Sequence, residues 1–283
     1  MKKLLVLLLT ITTVYTVEAQ IVTPQPSPFT KIEQKVGLTD FVLEYSRPNV
    51  RGRKVFGDLV PYGQVWRLGA NQNTKITFST DVSVDGKTLK AGTYALYAIP
   101  NAAAWDVIFY TDANNGGLPA KWDDSKVAAK VNVEIYPLPM NIETFTISFD
   151  DLTSNSGVLG IMWEQVYVGV KMDLPTDDMV LKSINDVMNA TPTANDYFNA
   201  AVYYFQENKD IKQAKTWIDK AMEMSGDKAQ FWQLRQQSLI YAKAGDKAGA
   251  IAVAKKSLAA SEAAGNGDYV KMNKDSLKEW GAM

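Results

Sequence analysis

The composition of the chain changes abruptly at Leu174-Pro175-Thr176, and that break limits the fold more than any single motif does. Upstream, short alternations of apolar and polar residues are separated by glycine, proline and asparagine, the pattern of half-buried strands. Downstream, alanine, lysine, glutamate and methionine dominate, and apolar residues recur at helical spacing. With 283 residues the chain is long enough for two cores of ordinary size. The expected fold is therefore α+β, with an antiparallel β-sandwich or jelly roll over residues 38–175 followed by a helical domain over residues 176–283.

In the first part, Phe41, Leu43 and Tyr45 alternate with Val42, Glu44 and Ser46 until Pro48 ends the run. Further extended segments are expected at 65–67, 75–79, 93–99, 105–111, 131–136, 143–149, 158–164 and 166–172. Asp85-Gly86, between Val82-Ser83-Val84 and Lys87-Thr88-Leu89, is a two-residue hairpin signal, because a type I′ turn needs positive φ at both positions. One or two helical turns are expected within 121–129. No connection is long enough for a βαβ crossover, so the sheets should be antiparallel. The proline-studded segment 21–28, within an entry segment spanning 20–37, is expected to be extended and poorly ordered.

In the second part, helices are expected at 177–189, 194–208, 211–224, 228–244, 247–264 and 268–280, with Gly226, Gly245 and Gly265 ending three of them at positive φ. Ala214 and Ala221 recur as Ala250 and Ser257, an offset of 36 residues. This resembles the tetratricopeptide pattern, whose period is about 34 residues. Among the aromatics here, Tyr204, Trp217, Trp232 and Tyr241 are candidates for docking a protein partner along a concave groove, although such residues more commonly fill the seam between helices.

Met1-Lys2-Lys3, the apolar run from Leu4 to Val14, and Val17-Glu18-Ala19 have the three parts of a secretory leader, with a cut expected after Ala19. The apolar run is shorter than the roughly 20 residues of a spanning helix. No membrane span is expected after cleavage, and the destination is the periplasm or the exterior. The chain holds neither cysteine nor histidine. That composition removes Ser-His-Asp and Cys-His catalysis, the common zinc sites and the usual haem ligands. Lys plus Arg number 30 against 31 Asp plus Glu, so no net field would draw the chain to nucleic acid. There is no strand-glycine-helix fingerprint for a dinucleotide. No metal and no cofactor are expected.

The densest collection of arginine, glycine, proline and aromatic residues lies between Tyr45 and Pro100. Arg47, Arg53, Trp66, Arg67, Asn71 and Tyr97 are expected to face a shared pocket for a small anionic or glycan-like ligand, since arginine offers a planar fork to oxyanions and aromatics stack on sugar faces. The favoured competing reading is that the arginines hydrogen-bond loop carbonyls, pair with Asp58 and other acids, and hold an irregular connection in place. Glu44 and Glu164 are the minimal carboxylate pair for a glycosidase-type hydrolase. Solvent-facing positions, or pairing with one of the arginines, are the favoured account of both.

The words YSRPNVRGR (45–53), VPYGQVWRLGANQNT (60–74), AGTYALYAIP (91–100), WDVIF (105–109) and Trp163-Glu164 closely resemble the bacterial family called domain of unknown function 2911, over about residues 24–174. The resemblance implies an exported β-domain of bacteria of the Bacteroidetes type. It implies no established activity and carries no catalytic residue onto this chain. The resulting expectation is an exported, non-catalytic envelope protein whose β-domain binds a small or glycan-like ligand and whose helices dock a partner. The alternative is a carboxylate-dependent hydrolase of envelope polysaccharide or lipid.

Overall fold

A computed structural model describes residues 23–283. The leader and its cut after Ala19 lie outside the described residues. The chain divides into two compact units, the first ending at Pro175 and the second beginning at Thr176.

The first unit contains ten strands among the described residues: β1 (Phe29–Val36), β2 (Thr39–Ser46), β3 (Thr74–Phe78), β4 (Val82–Val84), β5 (Lys87–Leu89), β6 (Gly92–Ile99), β7 (Ala104–Tyr110), β8 (Val127–Glu134), β9 (Tyr136–Asp150) and β10 (Ser156–Asp173). They form a six-stranded sheet in the order β1-β2-β3-β6-β7-β8 and a four-stranded sheet in the order β5-β4-β10-β9. All pairings within the two sheets are antiparallel. Phe41, Leu43 and Tyr45 point inward as their alternation predicts, and meet Phe145, Ile147, Leu159 and Ile161 of the facing sheet in one core. The hairpin forms at Asp85-Gly86, with φ of 50° and 72°.

Four expectations need correction. Residues 29–36 are not a loose entry segment, because β1 pairs with β2 from Phe29↔Ser46 to Val36↔Thr39. It is an edge strand whose charged side chains face water, so little apolar alternation marked it. Residues 65–67 form no strand and contribute only a bridge between Trp66 and Ala98. The two strands expected at 158–164 and 166–172 are one, because β10 passes through a bulge at Glu164, where φ is 50°. The helical turn expected within 121–129 is a single 3₁₀ turn at Asp124–Lys126, capped by Asp123, after which β8 begins.

The two sheets are joined where β2 ends. The chain leaves the six-stranded sheet and runs along the free edge of β9. Tyr45 Oη donates to Ile147 O at 3.1 Å and accepts from Ile147 N–H at 3.0 Å. Arg47 Nε donates to Phe145 O at 3.0 Å, Phe145 N to Pro48 O at 2.8 Å, and Val50 N to Glu143 O at 2.8 Å. An edge that would otherwise expose unpaired amides is thereby closed from within the same chain.

The second unit contains α1 (Thr176–Met188), α2 (Ala194–Gln206), α3 (Ile211–Ser225), α4 (Phe231–Lys243), α5 (Lys247–Ala263) and α6 (Gly267–Glu279). Gly226, Gly245 and Gly265 all have positive φ. Thr193 and Asp196 close a capping box on α2, and Asp210 and Asp246 cap α3 and α5. Helix α2 packs on α3 and α4 on α5. Small side chains let them approach, and Ala214, Ala221, Ala250 and Ser257, the positions related by the 36-residue offset, are all fully buried. At the start of α1, Asp177 accepts from Tyr203 Oη at 2.7 Å and pairs with Lys209 at 2.6 Å.

Two predictions follow from these contacts. Removing the Tyr45 hydroxyl leaves Ile147 N–H and C=O unpaired inside the protein, so Tyr45→Phe should lower unfolding free energy by about 2 kcal/mol, read from urea titration. The hydrogen bond from Lys209, then that from Tyr203, holds the Asp177 carboxyl below its ordinary value of 3.8. A depressed carboxyl adds stability that is complete above the unfolded value and is lost as pH falls through the folded one. Asp177→Asn should therefore flatten the wild-type loss of helical stability below about pH 4, measured by circular dichroism.

Candidate ligand-binding cleft

Three loop segments converge at one end of the β-unit. The first continues from the β9 edge and turns at Arg51 and Gly52, whose φ values are 52° and 68°. Arg51 N–H donates to Glu143 Oε1 at 2.9 Å, which sets the turn. The second runs over residues 53–60 and is held from below by Glu164, whose carboxylate accepts from Val55 N at 2.8 Å and Phe56 N at 3.3 Å. The bulge at Glu164 breaks the alternation of β10 beside this loop.

The third segment is residues 66–74. Trp66 exchanges both main-chain hydrogen bonds with Ala98, at 2.7 and 2.9 Å. The chain then takes three left-handed conformations, at Leu68 (φ 51°), Gly69 (φ 138°) and Asn71 (φ 57°). A Cβ at Gly69 would lie 2.8 Å from Ser46 O, so glycine is required there. Leu68 and Asn71 have no such freedom, and each costs about 1–3 kcal/mol in that conformation. Their neighbours fix them: Thr74 Oγ1 donates to Leu68 O, and Asn71 Nδ2 donates to Ser27 O at 3.1 Å and Ser46 Oγ at 3.2 Å.

These segments and Pro26-Ser27 enclose a cleft of about 360 Å³. Arg51, Arg53 and Arg67 line it, together with Leu59, Val60, Trp66 and Trp163. Trp66 and Trp163 are stacked at 5.9 Å and 17°. Trp66 Nε1 donates to Gly69 O at 3.2 Å and Trp163 Nε1 to Glu143 O at 3.2 Å, so both indoles are locked. Arg51 Nη2 donates to Pro26 O at 3.0 Å. Arg53 donates to Val50 O at 2.9 Å and Asn49 O at 2.7 Å. Among the described residues, none of these three guanidiniums lies in ion-pair contact with a carboxylate. Carbonyls orient a guanidinium without neutralising it, so the cleft keeps its positive charge.

Of the six residues expected to share a pocket, the structure brings Arg53, Trp66 and Arg67 to the cleft wall. Arg47 and Asn71 brace segments that line it: Arg47 Nη2 donates to Thr146 Oγ1 at 2.7 Å, and Asn71 ties the 68–74 loop to β2. Tyr97 is corrected out of the set. Its neighbours Leu96 and Ala98 point into the core, so period-two alternation turns Tyr97 to the outer face of the six-stranded sheet, against Tyr110 and Trp122. There its hydroxyl donates to Gly117 O at 2.8 Å, and burial raises its pKa. Arg51, which lies in the same arginine-rich run as Arg47, Arg53 and Arg67, belongs to the cleft as well. Leu59 and Val60 join it only because Glu164 folds their loop over.

The carboxylates of the alternative reading are engaged elsewhere. Glu44 lies 3.8 Å from Lys75 on the six-stranded sheet, and Glu164 holds the 53–60 loop. Among the described residues there is no group of three or more carboxylates that could hold a metal ion. No helix of the described residues is long and apolar enough to cross a membrane.

The four aromatics of the helical unit do not share one face. Tyr204 and Trp217 meet edge to face at 4.7 Å within the helical core. Tyr241 donates to Asp219 and lies under Lys215 Nζ at 4.0 Å. Trp232 alone of the four is exposed, at 42%. Trp217 and Tyr241 border two separate hollows that have Asp219 in common.

Glu164 supports the cleft by accepting from the main-chain amides of Val55 and Phe56. Glu164→Gln can accept only one of them, and should cost about 1–3 kcal/mol of stability and speed hydrogen exchange at Val55 and Phe56 by about tenfold. Exchange mass spectrometry over residues 53–60 is the check.

No curated protein and no solved structure matches the chain significantly. The family model described as "Protein of unknown function (DUF2911)" matches residues 27–172, which include all of the cleft-lining residues except Pro26. The chain belongs to that family.

Proposed function

We propose that this is an exported, non-catalytic recognition protein whose β-unit binds a small or glycan-like ligand in the arginine-tryptophan cleft. The observation that carries the reading is the combination of three un-neutralised guanidiniums with a locked tryptophan pair in a concavity of about 360 Å³, a size suited to a small ligand. Strained main chain at Leu68 and Asn71 adds support, because such strain persists where surrounding structure is built to hold a site. The leader-like first nineteen residues support export.

The helical unit fits a docking role through Trp232 and the hollows beside Trp217 and Tyr241, each of which could seat side chains of a protein partner. Its resemblance to tetratricopeptide repeats favours the same role. The engagement of Glu44 and Glu164 gives the hydrolase reading no comparable support.

Trp66 lines the cleft, so its fluorescence should report occupancy. Titrating the mature chain with a panel of neutral and acidic oligosaccharides should give saturable, one-site binding, with each sugar recovered unchanged by mass spectrometry. Replacing both Arg51 and Arg53 by Gln should weaken that binding about tenfold. Turnover of any panel member by the purified chain would overturn the non-catalytic reading.

A further inference from the structure

Among the described residues, one guanidinium of the cleft wall has a nitrogen left without a hydrogen-bonding partner. Arg67 Nε is shielded from solvent and has no hydrogen-bonding partner. Arg47, Arg51 and Arg53 behave differently, since each donates to main-chain or hydroxyl oxygen. A buried donor attached to a full charge is the costliest kind to leave without an acceptor. Nε itself is closed off, so an acceptor entering the cleft would meet this guanidinium at its terminal nitrogens, which are not among the shielded atoms.

The rest of the residue is fixed in advance. Its main chain sits between the Trp66–Ala98 bridge and left-handed Leu68. Its Cδ lies 3.9 Å from the position a Cβ would take at Gly117, so the stem packs on the glycine loop at 115–117. That loop is itself tied down from the opposite side, by Tyr97 Oη to Gly117 O at 2.8 Å and by Asn115 Nδ2 to Tyr97 Oη at 2.8 Å. Tyr97 therefore reaches the cleft indirectly, through the loop that backs Arg67. A guanidinium held this way loses little freedom when a ligand docks.

A planar guanidinium fork matches a group presenting two oxygens in one plane. Arg51 and Arg53 line the same cleft and add charge of the same sign, while Leu59, Val60 and Trp66 offer apolar surface. We propose that Arg67 receives an oxyanion of the ligand, a carboxylate or a phosphate, and that the cleft selects acidic small molecules such as an acidic sugar over neutral ones. The proposal rests on the reading that this cleft is a ligand site, and it adds the chemical class of the ligand.

The test uses the mature full chain and three probes of similar size: a uronic-acid disaccharide, a disaccharide phosphate and a neutral disaccharide. Calorimetry at low and high salt should show the acidic probes binding at least about tenfold tighter than the neutral one, with affinity falling as salt rises. Tighter binding of the uronic acid or of the phosphate identifies the source, and either supports the proposal. Arg67→Lys keeps the charge and removes the fork, so it should weaken the acidic probe by about tenfold while leaving any neutral binding unchanged. Lys182→Gln, an exposed change on α1, should do nothing.

Equal affinity for acidic and neutral probes, or acidic binding untouched by Arg67→Lys, overturns the oxyanion assignment and leaves the cleft reading standing. Binding of none of the three overturns both. If Arg67→Lys does not fold by circular dichroism, the wild-type preference between acidic and neutral probes decides alone.

Discussion

The architecture of the β-unit depends on the stretch from Tyr45 to Val50, which ends one sheet and closes the edge of the other. Its hydrogen bonds to Ile147, Phe145 and Glu143 supply the partners that β9 would otherwise lack on that side. Two consequences follow from one crossing. The sheets are fastened at a corner by main-chain pairing as well as by side-chain packing, and the arginine-bearing turn at 51–53 is delivered next to Trp163 of β10. The site is a by-product of how the sandwich is closed, which is why residues far apart in sequence arrive there together.

Around that corner, polar groups divide into those that build and those left over. Glu143 accepts from Arg51 N–H, Trp163 Nε1 and Val50 N–H, and so joins β9 to the first loop and to β10. Glu164 does the same for the second loop, and Thr74, Asn71 and Ser46 do it for the third. Building groups are satisfied within the protein, so their chemistry is spent on shape. The guanidiniums of Arg51 and Arg53 meet carbonyls rather than carboxylates, and charge that shape does not consume is available for recognition.

Much of this was legible in the sequence. Period-two burial of Phe41, Leu43 and Tyr45, the Asp85-Gly86 hairpin and all six helices follow from local chemistry, since spacing, φ preference and capping act within a few residues. What was not legible depended on distant partners. β1 exists because β2 offers it a ladder, although its own sequence is too polar to announce a strand. The bulge at Glu164 looked like a break between two strands, because a residue that leaves the alternation reads the same whether the chain turns or kinks. Tyr97 was misplaced for a related reason. The word AGTYALYAIP says that residues alternate but not which phase faces inward, and the phase was set by Leu96 and Ala98 meeting the other sheet.

The arginines that line the cleft have a last consequence for how such a site responds to its surroundings. The chain holds no imidazole, the side chain whose ordinary charge change falls near neutral pH. Dissolved salt, which screens fixed charge over about 8–10 Å, is therefore the chief modulator of the cleft's field.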